Sequence, residues 1–139
     1  MLQKPLVLLS NDDGVHAPGL RILAKSLIQL EYEVFVVAPD QDCSGVSSSL
    51  TISRPLRMTK IEEYSQDNLN YYSVNGTPVD CVKLALAFLK NRKPKWVLCG
   101  INRGGNIGGD TLYSGTVAAA LEGTIAGLPS MALSALGPD

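Results

Sequence analysis

A single histidine, His16, and three cysteines, Cys43, Cys81 and Cys99, are all the imidazole and thiol groups that this chain of 139 residues possesses. A zinc centre built on several imidazoles is therefore excluded, and a Ser-His-Asp triad would have to use His16. The cysteines are odd in number, widely spaced and form no C-x-x-C, which argues against a disulfide framework or structural zinc and leaves buried thiols as the reading that suits their apolar neighbours. Long hydrophobic runs are also missing. The longest early one, Leu6–Leu9, lacks a basic flank and a small-residue cleavage site, so neither a signal peptide nor a membrane span is expected, and the expected location is cytoplasmic. No charge sign dominates: 12 Lys+Arg against 13 Asp+Glu give a net charge of -1, too balanced for a protein whose affinity comes from neutralising nucleic-acid phosphates. What the chain does have is apolar material, 45% of its residues, enough for one globular core.

Leu6–Ser10 and Glu33–Ala38 are short apolar runs, as expected of strands buried on both faces, and between them Leu20, Leu23, Ala24, Leu27 and Ile28 fall on one helical face. Leu50–Lys60 and Tyr71–Val74 read as irregular extended segments around a polar stretch, Glu62–Asn70. Thr77-Pro78-Val79-Asp80 carries a capping-box signature, with Thr at the N-cap, Pro first and an acid third, and predicts a helix through Leu89 to about Asn91. Trp96–Cys99 reads as a third buried strand, Gly100–Gly109 as a Gly-rich loop, Ser114–Ala126 as a helix of small residues and Ser130–Ser134 as a fourth strand. The alternation predicts an α/β fold, a largely parallel sheet with helices on both faces. Ligands in such sheets sit beyond the carboxyl ends of the strands, so the polar loops after Ser10, Ala38 and Cys99 can converge on one site.

Asp12 and Asp13 follow the first strand directly. Asp-Asp-Gly alone suits a turn, but two adjacent carboxylates are unfavourable unless a cation or good solvation offsets them. With the Ser44 hydroxyl and the Asn102 amide oxygen they make a hard, all-oxygen set that suits one Mg2+ or Mn2+ ion. Gly104–Thr111 has the glycine spacing of a P-loop, yet Asp110 stands where the phosphate-binding lysine belongs, and no G-x-G-x-x-G or G-x-S-x-G follows a strand. Ser114, Gly115 and Thr116 at a helix start, with Asn106 nearby, offer hydroxyls, backbone N–H groups and a positive dipole end to an anion, although a helix cap and a loop turn explain them too. A divalent cation beside an anion pocket points to phosphate-ester chemistry.

Five ordered motifs, Ser10-Asn-Asp-Asp-Gly14, Ala38-Pro-Asp40 with Ser44-Gly45, Asn75-Gly-Thr-Pro78 with Asp80-Cys81, Gly100-Ile-Asn-Arg-Gly104 with Asn106, and Ser114-Gly-Thr116, closely resemble the SurE (survival protein E) family of metal-dependent nucleotidases. The resemblance runs over nearly the whole chain. It implies a Rossmann-like fold and release of phosphate from nucleoside 5′- and 3′-monophosphates, with other phosphomonoesters or short polyphosphate as further substrates. It assigns the metal to Asp12, Asp13, Ser44 and Asn102, and phosphate contacts to Asn106, Ser114, Gly115 and Thr116. A metal-activated water assisted by Asp12 or Asp13 is the favoured nucleophile, with direct carboxylate attack as the other route.

Members of that family are usually longer and use a C-terminal hairpin and tail in subunit association. Residues 1–139 are thus expected to form the nucleotidase core without that extension, and to self-associate less stably than longer relatives. Two other functions fit the residues: a module that holds metal and nucleotide without turnover, and a serine hydrolase using His16, which has no nucleophile elbow and no obvious acid partner.

Overall fold

The computed structural model describes residues 3–43, 49–103 and 115–136. Strand β1, Leu6–Ser10, is buried along its whole length, and its side chains alternate between two cores. Leu6 and Leu8 enter one, Val7 and Leu9 the other, which is why the run shows no polar alternation. Strand β2, Glu33–Pro39, lies parallel to it with Leu8 opposite Phe35. Helix α1, Pro18–Gln29, connects them and turns Leu20, Ala24 and Leu27 onto Val7, Leu9, Val34 and Val36. Truncating a fully buried side chain such as Leu8 to alanine costs about 2–5 kcal/mol.

Beyond β2 the chain forms β3, Met58–Lys60, a 3-10 turn at Glu62–Tyr64, and β4, Leu69–Val74. Helix α2, Pro78–Leu89, leads to β5, Trp96–Arg103, and α3, Gly115–Ile125, leads to β6, Ser130–Ala135. The sheet order is β3-β4-β2-β1-β5-β6, parallel throughout except for β3, which runs antiparallel to β4. Cys81, Val82 and Ala85 of α2 and Ala119 and Ala120 of α3 pack with Leu6, Leu8 and Phe35, so these two helices cover the face opposite α1. The expected α/β architecture, Rossmann-like with helices on both faces, is what forms. Small residues let α3 sit close: a Cβ on Gly123 would lie 2.9 Å from the Val97 Cβ.

Three local expectations need correction. Only Met58–Lys60 of the segment Leu50–Lys60 is strand, and the polar stretch Glu62–Asn70 holds the 3-10 turn and the start of β4. Gly100–Arg103 do not begin a loop but extend β5, because β6 resumes its pairing at Asn102 and Arg103 past an irregularity. The register runs from Cys99 opposite Ala132 to Asn102 opposite Ser134. The free thiols are also unequal, Cys81 and Cys99 being buried and Cys43 only partly so.

Candidate active site

Strand β1 sits between β2 and β5, and the chain leaves it toward opposite sides of the sheet, so the switch point lies beyond the carboxyl ends of β1 and β5. Asp12 lies there, two residues past β1 and 4% exposed. The turn that carries it is built locally. Asn11 Nδ2 donates to the Gly14 carbonyl at 2.8 Å and the Gly14 N–H donates back to Asn11 Oδ1 at 3.2 Å, an Asx-type closure. Gly14 takes φ +106°, and a Cβ there would lie 3.2 Å from the Gln41 backbone, so glycine serves both the conformation and the close approach of the next loop.

Two longer-range links hold the turn in place. The Val15 N–H donates to the Pro39 carbonyl at 2.8 Å and the Cys43 N–H donates to the Asp12 carbonyl at 2.7 Å, tying the loop after β2 to the loop after β1. Across the crevice, Thr116 Oγ1 at the start of α3 donates to Asp12 Oδ1 at 2.9 Å, and both residues are buried. The first turn of α3 and the Asp12 carboxylate are therefore in direct contact.

Of the other predicted residues, Asp13 is half-buried next to Asp12, and Asn102 is half-buried near the end of β5, past the irregularity. Gly115 is the buried first residue of α3. Ser44, Asn106 and Ser114 lie outside the described residues. Ser44 follows Cys43, which is pinned to Asp12, and Ser49 and Thr51 on the far side of that segment are pinned to the N-terminus of α2. There Thr77 Oγ1 donates to the Ser49 carbonyl at 2.7 Å and the Thr51 N–H donates to Asp80 Oδ1 at 2.9 Å. Sequence motifs pointed to Thr116 as a phosphate contact. Its hydrogen bond to Asp12 spans 104 positions, and no local signal announces it.

The electrostatics of this edge are negative. Burial raises the pKa of the Cys43 thiol, and the carboxylates of Asp40, Asp42, Asp12 and Asp80 raise it further. Burial likewise pushes Cys99 up to about 12, with Asp12 adding to it. These thiols stay protonated at neutral pH and are poor nucleophiles. Among the described residues, no three His, Cys, Asp or Glu side chains cluster as a metal site. Any cation here would rest on the two adjacent carboxylates together with neutral oxygen donors, and that donor chemistry fits a hard divalent ion.

The family profile described as "Survival protein SurE" matches residues 7–138. The chain belongs to the SurE family. It is 57% identical over 136 residues to "5′-nucleotidase SurE" of Vibrio vulnificus, an alignment covering 96% of this chain and 51% of that protein. The 5′-nucleotidase SurE of Xylella fastidiosa is 54% identical over 128 residues, covering 92% and 47% respectively. The crystal structure of the SurE protein from Aquifex aeolicus superposes with a TM-score of 0.86 at 48% identity, over 97% of this chain and 52% of that one. The chain thus spans about half the length of the relatives it matches. No described helix is long and apolar enough to cross a membrane.

Proposed function

We propose that this chain carries the catalytic core of a divalent-metal-dependent phosphohydrolase that releases phosphate from nucleoside 5′- and 3′-monophosphates, other phosphomonoesters and short polyphosphate being further substrates of the same site. The observation that carries the reading is the Thr116–Asp12 contact. It sets a buried carboxylate, which favours a cation, against the first turn of a helix, which favours an anion. Relatives at 54–57% identity named 5′-nucleotidase support the assignment.

Asp12, Asp13, Ser44 and Asn102 would hold one Mg2+ or Mn2+ ion. Bound there, the ion supplies positive charge to polarise the phosphoryl group and to lower the pKa of a water. The chain's own residues do the rest. Thr116 and the Cys43 N–H fix the orientation of Asp12, while the backbone N–H groups at Gly115 and Thr116, with Ser114 and Asn106, stabilise charge on the phosphoryl oxygens. Asp12 or Asp13 accepts the proton of the attacking water. Three free thiols suit a reducing compartment, so the cytoplasm is the location this reading carries. In this reading the chain acts within a family homo-oligomer.

The test is phosphate release from a panel of nucleoside monophosphates with and without chelator. Release that stops on chelation and returns with Mg2+ or Mn2+ better than with Zn2+ is expected. Unchanged release after exhaustive chelation would sink the metal-dependent reading, and tight nucleotide binding without release would replace the enzyme by a binding module.

A further inference from the structure

Outside the candidate active site, the α1 face carries a cleft of about 110 Å3 between α1 and the segment that runs from the 3-10 turn into β4. Its walls include Arg21, Lys25, Glu63, Tyr64, Gln66 and Tyr71. Arg21 and Lys25 stand one helical turn apart, a spacing at which like charges destabilise a helix. Among the described residues neither takes part in an ion pair. Glu63 is the one acid on the wall, which leaves the cleft with a surplus of one positive charge.

Aromatic contacts and hydrogen bonds support the wall behind these exposed cations. The Arg21 guanidinium lies 4.2 Å from the centre of the Tyr64 ring, and that ring packs edge-to-face on Tyr71 with centroids 5.1 Å apart. The Tyr64 hydroxyl meets His16 Nδ1 at 3.0 Å, and the Tyr71 hydroxyl donates to the Val15 carbonyl at 3.0 Å. The guanidinium sits over the Tyr64 ring with its N–H groups available for hydrogen bonds, and Gln66 adds an amide donor to the same wall. The cleft is well below the roughly 300 Å3 of a pocket for a nucleotide-sized ligand. It has room for a group of a few heavy atoms.

We propose that this cleft is a binding site for a small oxyanion, a phosphate or carboxylate group, held between Arg21 and Lys25 and distinct from the site at Asp12. The arrangement supplies two charge-assisted donors beside an aromatic wall, and such donors are what lets a small oxyanion compete with its hydration.

The test is titration of the 139-residue chain, in chelator and at constant ionic strength, with inorganic phosphate in one arm and acetate in the other, read at the Arg21 Nε–H resonance. Saturation in either arm is expected, and the arm that saturates at lower concentration identifies the group. Lys25→Gln, on an exposed helix face, should weaken the apparent affinity by about tenfold, and Glu63→Gln should tighten it, because the first removes a positive charge from the cleft and the second a negative one. A linear, non-saturating response in both arms overturns the proposal. So does an affinity that is the same in the parent chain and both variants. Neither result bears on phosphate release at Asp12, which is measured separately.

Discussion

Asp12 and Asp80 are both buried carboxylates at the carboxyl edge of the same sheet, and they are held in contrasting ways. Asp80 accepts from the Thr51 N–H and hydroxyl and from the Thr77 N–H, at 2.9, 2.5 and 2.8 Å. Burial alone would raise its pKa, and these bonds outweigh it, so the carboxyl lies below its ordinary value. Asp12 accepts from Thr116 at Oδ1, in surroundings dense with other carboxylates. A carboxylate ringed by donors is a structural fastener, as Asp80 is for the loop that returns to α2. One placed among other acids is stabilised by an added cation. Two aspartates of similar burial thus differ in the donors around them, and the function proposed above gives Asp12 the chemical role where Asp80 has a structural one.

The sharpest way to break this contrast is charge removal at each site. Asp12→Asn keeps an oxygen for Thr116 to donate to but removes the negative charge, and phosphate release should fall roughly a thousandfold while the fold is as stable as before or more so. Phosphate-release kinetics beside urea unfolding check both halves. An active Asp12→Asn chain would make Asp12 a turn residue like Asn11.

Thr116→Val tests whether the contact across the crevice positions Asp12. Loss of an outer hydrogen bond to a site residue should lower release by about 10- to 100-fold, and Thr116→Ser should restore most of it because the hydroxyl returns. Equal activity in Thr116→Val would separate the helix start from the carboxylate functionally.

Asp80→Asn should reverse the pattern expected at Asp12. Replacing a charged acceptor of three hydrogen bonds costs about 1–3 kcal/mol of stability at neutral pH. The sign of the pH dependence follows from the lowered pKa. A carboxyl that ionises more readily in the folded chain contributes stability above its unfolded value of about 4, and that contribution fades as pH falls through the folded value. Urea midpoints of the two chains should therefore differ at pH 7 and converge below about pH 4. A constant gap across that range would mean that the charge of Asp80 contributes nothing.

What the sequence made legible follows the range of the interactions. The capping box at Thr77 and Asp80 is complete within four residues, and it appears in the structure with both reciprocal bonds. The doubly buried strands β1 and β2 were readable because each is one short apolar run. The end of β5 was not, since Gly100-Ile101-Asn102-Arg103 has loop composition and becomes strand only through pairing with β6, some thirty residues later. The start of β4 was hidden in the same way: Leu69 and Asn70 belong to a polar stretch and are strand because they pair with Val34 and Phe35. In the site, the adjacent carboxylates were visible as a pair. The bonds that orient Asp12, from Cys43 and Thr116, connect segments that only the folded sheet brings together.

The smallest effect concerns the residue that joins the two halves of the contrast. Thr77 Oγ1 accepts from the Asp80 N–H at 3.1 Å as the helix cap and donates to the Ser49 carbonyl at 2.7 Å, so one hydroxyl closes α2 and holds the far flank of the segment that carries Ser44. Thr77→Ala removes both bonds and should cost about 1 kcal/mol, a fall of roughly 4 °C in Tm. Thr77→Ser keeps the hydroxyl and should recover most of that loss. Because the Thr77 N–H still donates to Asp80, and the cap does not touch Asp12, phosphate release per folded molecule should stay within about twofold in both variants, the site being held by bonds of its own. A Thr77→Ala chain that unfolds at the parent temperature but loses activity would reverse the assignment, making the Ser49 bond part of the active site and the cap incidental.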